Sequence, residues 1–462
     1  MAGGGIAERL RTLAHIAPEK LFLIAAFVGG LLLIALVPPV AGGNEQMNFR
    51  RVASIANGHA MVEPASVPAG IPEFLQVTER KFGEGAKPPY GYSRDDLADA
   101  AAVKLKPDKP GEIRPNPISV LSPVSYLPQL PAVWLAQALG LSPLAIFYAG
   151  RLAGLAGAIA LTFFAVRVMP FHKHTLAAVA LLPPLLFSRS TVDGDVFTVA
   201  IAFLFLALAM REIGARGRIS IAMIAGLAVT AFLLAQAKSA YFLLPLLSLG
   251  IPAERFGGTR NKLIACAIIV APGLLASIAW LVAVKQTYLS GMSYRTWSGI
   301  ADPDAQFALI LSNPIGYAGV LIRTVFATIF VPRAIIDMLG VFGPPVVAPV
   351  AVLAAMALLL GATAASDKGP PGGKARWLAL GLAAATLLVI MTAVYTQWTR
   401  VGAPVVEGFN GRYLYPLAPL LLVAVPTRAK RVFGLDASAW LVLTALVSVP
   451  ATLWVTWQTY WA

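Results

Sequence analysis

Residues 38–51 of the chain read PPVAGGNEQMNFRR, and they follow the first of its long apolar segments. The apolar residues before them, from about Lys20 to Val40, are enough to cross a bilayer as one helix. Two prolines and two glycines then favour the end of that helix. The polar residues that come next predict a second, amphipathic helix at the membrane surface, which begins near Glu45. A carboxylate at this boundary needs a partner or a function, because acidic residues are nearly absent from the other apolar segments.

The composition is that of an integral membrane protein. Hydrophobic residues make up 58% of the 462 positions and charged residues 13%, whereas about 25% of the residues of a soluble protein are charged. The net charge of +14 comes from basic residues in short connections, where they orient the chain and contact anionic lipids. This distribution does not indicate nucleic-acid binding. The single Cys266 excludes disulfides and cysteine-ligated metals.

Apolar windows of about 17–25 residues recur along the chain, as in a bundle of membrane-spanning helices. We therefore expect an all-α fold, a polytopic transmembrane helical bundle of about eleven spans. After the first span, the others are predicted at approximately 143–168, 173–189, 195–211, 218–236, 239–251, 262–284, 344–363, 377–397, 413–426 and 437–457.

The orientation of the bundle follows from its charges. The connections on one side are short and basic, which places that side and the N-terminus in the cytoplasm. Residues 306–335 are apolar enough for a further span, but counting them as one would move two basic connections outside. We therefore predict a re-entrant or interfacial helical pair there, broken at Pro314 and Pro332.

The chain is predicted to form a single integral membrane domain over residues 1–462. Residues 43–130 are polar and rich in proline, and we expect a small extracytoplasmic cap of short helices and irregular loops. Residues 285–343 are expected to form a second extracytoplasmic loop, which carries the interfacial or re-entrant helices.

The informative polar residues fall at the outer ends of predicted spans. Glu45 follows the first span, Asp193 lies in the turn after the third, Lys238 occupies the next outer turn and Arg412 opens the tenth span. Such charges over an apolar bundle suit a substrate with a lipid tail and a phosphate head. A base can activate an acceptor hydroxyl, and cations can stabilise a leaving phosphate. Arg151 lies early in a span, where an arginine is usually paired, so a structural partner and a phosphate are both open.

Each of these charged residues also has a structural explanation. Glu45 can favour a helix N-terminus behind an Asn44 cap, through the helix dipole. Asp193 can cap the span that follows it. Lys238 and Arg412 can simply extend to the membrane interface.

Several short motifs surround these residues. They are Asn44-Glu45-Gln46-Met47-Asn48-Phe49-Arg50-Arg51 with Asn57-Gly58, Tyr126-x-Pro-Gln129, Tyr148-x-x-Arg151-Leu152, Ser190-x-x-Asp193, Lys238-x-x-Tyr241 and Gly411-Arg412-Tyr413-x-x-Pro416. Their types and their order resemble a bacterial membrane family, domain-of-unknown-function 2142. That family looks related to the GT-C class of polyprenyl-phosphate-sugar-dependent glycosyltransferases. The family typically shows an Asp-Glu pair and a His where this chain has Asn44-Glu45 and Asn48.

The resemblance implies a GT-C-like bundle and roles for individual residues. In that class the acid after the first span acts as base, sometimes helped by a divalent metal, which implies Glu45 as catalytic base with support from Asp193. Arg412 is implied as a ligand of the donor phosphate. The further substrate-binding candidates are Lys238, Arg151, Tyr241, Tyr413, Gln129 and Asn44. Because Asn44 replaces the family's Asp, no metal ligand is predicted, and a divalent cation stays an open alternative.

We therefore predict a membrane glycosyltransferase of the bacterial inner membrane with an extracytoplasmic active site. Its partners would be a polyprenyl-phosphate-linked sugar donor, a glycan or lipid-linked acceptor, and membrane lipids, without nucleic acid. The alternatives are a transporter or flippase of lipid-linked glycans and a non-catalytic scaffold in glycan assembly. The polar residues cluster at span ends rather than span centres, which favours the enzyme over the transporter.

Overall fold

The protein was analysed as a computed structural model that describes residues 15–82, 87–289, 300–327, 333–343, 346–370, 373–425 and 431–462. It is mostly helical, at 72%, with little strand. The predicted all-α class is therefore confirmed. The helices, in chain order, are α1 Pro18–Leu36, α2 Glu45–Ala56, α3 Gly70–Glu79, α4 Arg94–Ala102, α5 Leu130–Ala138, α6 Pro143–Val168, α7 Lys173–Ala180, α8 Pro183–Arg189, α9 Gly194–Gly214, α10 Ile221–Ala237, α11 Thr259–Leu289, α12 Pro303–Ser312, α13 Pro314–Val325, α14 Arg333–Gly340, α15 Val350–Ser366, α16 Lys374–Gln397, α17 Ala418–Leu422 and α18 Ala437–Tyr460.

Six helices in the described part of the chain are long and apolar enough to cross a membrane. They are α1, α6, α9, α11, α16 and α18, and the number rises to seven if α12 and α13 together form one bent span. The predicted count of about eleven is not confirmed. Prolines explain part of the difference, because a proline has no N–H to donate and breaks a long helix. Residues 173–189 split into α7 and α8 at Pro183, while 239–251 and 413–426 form mainly 3-10 helices such as Leu244–Gly250 and Gly411–Leu417. The predicted spans 218–236 and 344–363 correspond to α10 and α15, which are apolar but have only 17 residues each.

The bundle is built around α9. Of its most apolar stretch, 78% is buried, against 22% for α11, and it packs against α6 and α10. Helix α1 packs against α6 and α18. A Cβ on Gly30 would lie 2.5 Å from a methyl carbon of Leu155, so the glycine allows α1 to approach α6 closely. These contacts fix the N-terminal end of α9, to which the polar residues converge.

The segment 43–130 folds as a layer of short elements with its own hydrophobic core. Strands β1 Ala65–Pro68 and β2 Pro110–Ile113 pair antiparallel, with Ala65 opposite Ile113. Phe49 of α2 stands edge-on to Phe147 of α6, with ring centroids 5.0 Å apart. This contact attaches the layer to the bundle, and α2 is thereby held beside the N-terminal half of α6.

Helices α12 and α13 meet at Pro314, the position at which the sequence predicts a break, and they bend by 110°. The second predicted break, Pro332, lies outside the described residues. Beyond it, α14 leads into the short strands β3 Val341–Gly343 and β4 Val346–Val347, which pair antiparallel. Helix α14 packs against the 3-10 helix 411–417, and this contact brings the Gly-Arg-Tyr motif to the end of α9.

Candidate functional site

A cavity lies at the N-terminal end of α9. One wall is polar and the other is apolar. The polar wall includes Asn44, Asp193, Asp195, Lys238, Asn410 and Arg412. The apolar wall includes Leu185, Phe187, Val196, Val199, Phe342 and Pro416. A site with two such walls can hold a molecule that has both a charged and a greasy part.

A second cavity shares the charged residues of the first and extends towards the 43–130 layer. Its other walls come from the 3-10 helix Pro117–Val120 and from Leu121. Asp193, Asp195, Lys238 and Arg412 line both cavities. The four charged side chains therefore lie between the apolar residues of the first cavity and the 43–130 layer that borders the second.

The turn that precedes α9 orients both aspartates. Asp193 is the N-cap of α9, and its carboxylate accepts a hydrogen bond from the Asp195 amide at 2.9 Å. The Gly194 amide points the other way and donates to Oδ1 of Asn48 at 3.4 Å. A Cβ on Gly194 would lie 3.2 Å from Ser125 Cβ, so a glycine suits this tight crossing.

The two cations reach the aspartates from different parts of the chain. Lys238 ends α10 in an extended conformation, and its Nζ donates to Oδ1 of Asp195 at 2.6 Å. Nε of Arg412 lies 3.9 Å from Oδ2 of Asp195 and is without a hydrogen-bond partner among the described residues. The Tyr413 ring stands beside both cations, with its centroid 5.1 Å from Lys238 Nζ and 5.5 Å from Arg412 Cζ. Arg412 is therefore a cation with unused donor capacity.

The loop of Arg412 is held firmly against α14. A Cβ on Gly411 would lie 2.2 Å from the Ala334 carbonyl oxygen, and the Gly411 amide donates to Asp337 at 3.3 Å. The Tyr415 hydroxyl donates to the Met338 carbonyl at 2.5 Å. Only glycine fits at position 411, because any side chain would meet the backbone of α14.

The electrostatics of the site separate its two carboxyl groups. Burial raises the pKa of Asp193 above its usual range, and the nearby Asp195 carboxylate raises it further. Asp195, in contrast, is paired with Lys238 and lies near Arg412. Two neighbouring acids in different environments are a frequent basis for acid–base chemistry, since one can take a proton while the other stays ionised.

Glu45, which the sequence predicts to be the catalytic base, lines neither of these cavities. Its side chain is completely buried and forms a two-fold ion pair with the equally buried Arg151, at 2.8 and 2.7 Å. The prediction of an acid open to the chamber needs correction, because a side chain without access cannot touch a substrate. The prediction of Arg151 as a phosphate ligand needs the same correction. Its contacts agree with the alternative prediction, in which this arginine pairs with a structural partner.

The other predicted site residues divide between the cavity and its support. Asn44, Tyr241 and Tyr413 line the first cavity, and the Tyr241 hydroxyl donates to the Tyr413 carbonyl at 3.1 Å. Gln129 is buried behind the wall and donates to the Asp193 carbonyl at 3.4 Å. Asn44 adopts a left-handed backbone with φ 63°, which turns it to the cavity while its neighbour Glu45 points inward.

Three residues of this site are not predicted from the sequence. The first is Asp195, although the Asp193-x-Asp195 spacing places both carboxyls at one helix end. Asn410 caps the 3-10 helix through the Arg412 amide at 3.0 Å, and an Asn two positions before an Arg is a recognisable cap signal. Asn48 accepts a hydrogen bond from Tyr126 at 2.7 Å, and its sequence carried no signal for this contact.

The donor set does not suit a metal ion. Within the described ranges, no group of three His, Cys, Asp or Glu side chains is arranged to hold one. Among the described residues that line the cavity, the carboxylates are Asp193 and Asp195 only, and Oδ1 of Asp195 accepts a hydrogen bond from the Lys238 ammonium. We derive no chemical step through a divalent cation.

A helical bundle with six or seven candidate spans, a small cap and a charged cavity at its helix ends defines a polytopic membrane protein. Residues 27–421 match the model of a family described as predicted membrane protein (DUF2142). The chain belongs to this family, which confirms the resemblance stated from the motifs. No curated protein and no solved structure matches the chain.

Proposed function

We propose that this protein is a membrane glycosyltransferase that transfers a sugar from a polyprenyl-phosphate donor to a hydroxyl of a glycan or lipid-linked acceptor. The observation that carries the proposal is that two carboxyls and two cations line both cavities. The first cavity also has apolar side chains in its lining, and the second is bordered by the 43–130 layer. A donor with a prenyl tail and a phosphate matches the first cavity, and a polar acceptor matches the second.

The base in this proposal is Asp193 rather than Glu45. Its raised pKa suits a group that must accept a proton near neutral pH. Asp193 takes the proton of the acceptor hydroxyl, and the acceptor oxygen forms a bond to the anomeric carbon of the sugar. The bond from that carbon to the phosphate oxygen breaks, and the polyprenyl phosphate leaves with the electron pair. Inversion at the sugar is implied by the resemblance to the GT-C class.

The cations stabilise the leaving group. The Nε donor of Arg412 has no hydrogen-bond partner among the described residues, and Lys238 needs only to share its ammonium between Asp195 and the phosphate. Charge-assisted hydrogen bonds to phosphate are strong, and they strengthen as negative charge develops on the leaving oxygen. Tyr413 lies beside both cations and limits their movement.

The apolar wall supports a place for the prenyl chain. Leu185 and Phe187 of α8 and Phe342 of β3 line the same cavity as the charged groups. The basic connections lie at the opposite ends of the spans, which supports an extracytoplasmic position for the cavity. The proposed location is the bacterial inner membrane.

The test uses the full-length protein in lipid nanodiscs with a panel of radiolabelled polyprenyl-phosphate sugars and an envelope lipid extract as acceptor. The wild type should transfer label from at least one donor. Asp193→Asn should lower the rate about 10²–10⁴-fold, the usual contribution of a general base, while polyprenyl phosphate still binds.

The matched control is Asp436→Asn. Asp436 is also a helix N-cap, at α18, and accepts from the Ala439 amide at 2.9 Å, but it does not line either cavity. The Asp436→Asn variant should keep the wild-type rate of sugar transfer. Transfer that survives in Asp193→Asn would contradict the assignment of the base. Movement of labelled lipid across proteoliposomes without transfer would favour the flippase alternative, and binding with neither activity would favour the scaffold.

A further inference from the structure

Helix α2 presents two hydrogen-bond acceptors to the turn that carries Asp193. Oε1 of Glu45 accepts from the Val192 amide at 2.7 Å, and Oδ1 of Asn48 accepts from the Gly194 amide at 3.4 Å. These two side chains are three residues apart and therefore lie on one face of α2. The amides that they hold are the immediate neighbours of Asp193 in the chain. The backbone of Asp193 is thus fixed on both sides by one helix.

We infer that Glu45 is a positioning residue of this site, which acts through the Val192 amide to set the location of Asp193. The inference rests on the proposed function, because it assigns Glu45 a role in the reaction without contact to the substrate. It differs from a merely structural role, since it predicts that the hydrogen-bond acceptor, and not the charge of Glu45, supports the rate.

The bonds of Glu45 leave it no capacity for catalysis. Oε1 accepts from Arg151 Nε and from the Val192 amide, and Oε2 accepts from Arg151 Nη2 and from the Gly42 amide at 3.1 Å. A carboxylate has about four acceptor positions, and these four bonds use them. A proton from a substrate would have to displace one of them inside a sealed site.

Arg151 is equally saturated, which makes the pair a rigid anchor. Besides Glu45, its guanidinium donates to the carbonyls of Ile34, Val37 and Pro38, at 3.2, 2.7 and 2.8 Å. All five of its N–H donors are therefore used. These carbonyls belong to the C-terminal end of α1 and the turn after it. The position of Asp193 is consequently tied to the first span and to α6 through one ion pair.

The experiment compares two double variants that differ at position 45 alone. E45Q/R151M removes both charges but retains a side-chain oxygen for the Val192 amide. E45L/R151M removes the charges and the acceptor, with a side chain of similar size. Removing both partners avoids leaving one charge buried without its counterion. Because both variants lose Arg151, any difference between them reports the acceptor at position 45.

Two readouts are measured in nanodiscs. The first is kcat and its pH profile with the donor that the wild type consumes, and the second is hydrogen–deuterium exchange of the peptide that contains residues 190–195. E45L/R151M should be slower than E45Q/R151M by about 10–100-fold, the effect of a small misplacement of a catalytic group. The backbone amides of residues 190–195 should exchange faster in E45L/R151M than in E45Q/R151M. In both variants kcat should still fall at low pH, because Asp193 remains.

The matched control is a second buried pair, Glu212 with Arg255, at 2.6 Å and at the other end of α9. E212Q/R255M and E212L/R255M should show equal kcat and equal exchange at 190–195. Equal kcat and equal exchange in the two position-45 variants would overturn the inference. Loss of the acidic limb of the pH profile of kcat in both variants would also overturn it, because that result would identify Glu45 as the base. If the wild type transfers no sugar, the proposed function fails, and the exchange of residues 190–195 alone decides the inference.

Discussion

The Glu45–Arg151 pair and the Asp195–Lys238 pair have nearly the same length, 2.7 and 2.6 Å, in very different surroundings. The first pair is completely buried, whereas about a quarter of each side chain of the second is exposed. Val192, whose amide bonds to Glu45, is only three residues from Asp195. Two ion pairs thus flank one turn, one sealed in the protein and one open to the cavity.

The two ion pairs differ in how many of their hydrogen-bond donors and acceptors remain without a partner in the protein. In the sealed pair, every donor and acceptor has a protein partner, so the pair can only maintain geometry. In the open pair, the Lys238 ammonium has one hydrogen bond to Asp195, and an ammonium has three donors. Ion-pair distance therefore does not distinguish the two pairs, whereas unsatisfied bonding capacity in a cavity makes the open pair the candidate for ligand binding.

The largest expected effect comes from breaking the sealed pair on one side. Arg151→Met leaves the Glu45 carboxylate buried without a counterion, which should lower the free energy of unfolding by about 3–5 kcal/mol. Lys238→Met, on the open side, should change it by less than about 1 kcal/mol, because Asp195 can be solvated in the cavity. Chemical unfolding in mixed micelles measures both. Equal losses in the two variants would remove the distinction between the pairs.

The next effect concerns binding at the open pair. Arg412→Met should weaken the affinity for polyprenyl phosphate by about 10–100-fold, the value of one hydrogen bond from a charged group to an anion. Arg412→Lys retains the charge and should lose less. Binding of polyprenyl phosphate to the protein in nanodiscs measures the change, with the exposed pair variant Lys106→Ala as control. An unchanged affinity in Arg412→Met would show that this cation does not bind the lipid phosphate.

The smallest effect is a shift of pH dependence. The reaction needs Asp193 ionised, so the rate should fall as the pH is lowered through its raised pKa, at a midpoint above about 4, the ordinary value of an aspartate. Asp195→Asn removes the neighbouring negative charge and should lower the pKa of Asp193 by on the order of one unit. The acidic limb of kcat should then move to lower pH. A shift in the opposite direction would exclude Asp193 as the titrating group.

Much of this organisation could be predicted from the sequence. Composition predicted the class, and several short motifs in their order predicted the family. Charges at span ends pointed to Asp193, Lys238 and Arg412, and the family resemblance implied Asn44; these four residues line one cavity. The inward turn of Glu45 could not be predicted, because it depends on the left-handed backbone of Asn44 and on Arg151, 106 positions away. The count of about eleven spans is not confirmed, since apolar length alone does not show where a proline such as Pro183 interrupts a helix.

The close contact between Gly411 and α14 has a consequence for the biosynthesis of the protein. Chains are made from the N-terminus, so Asp193 and Lys238 enter the membrane well before the glycine and its arginine. Arg412 reaches its place only when Gly411 closes against α14, 74 positions earlier in the chain. A growing chain therefore holds the carboxylates and the lysine without the arginine, and the ribosome has passed residue 412 before the charged cavity is complete.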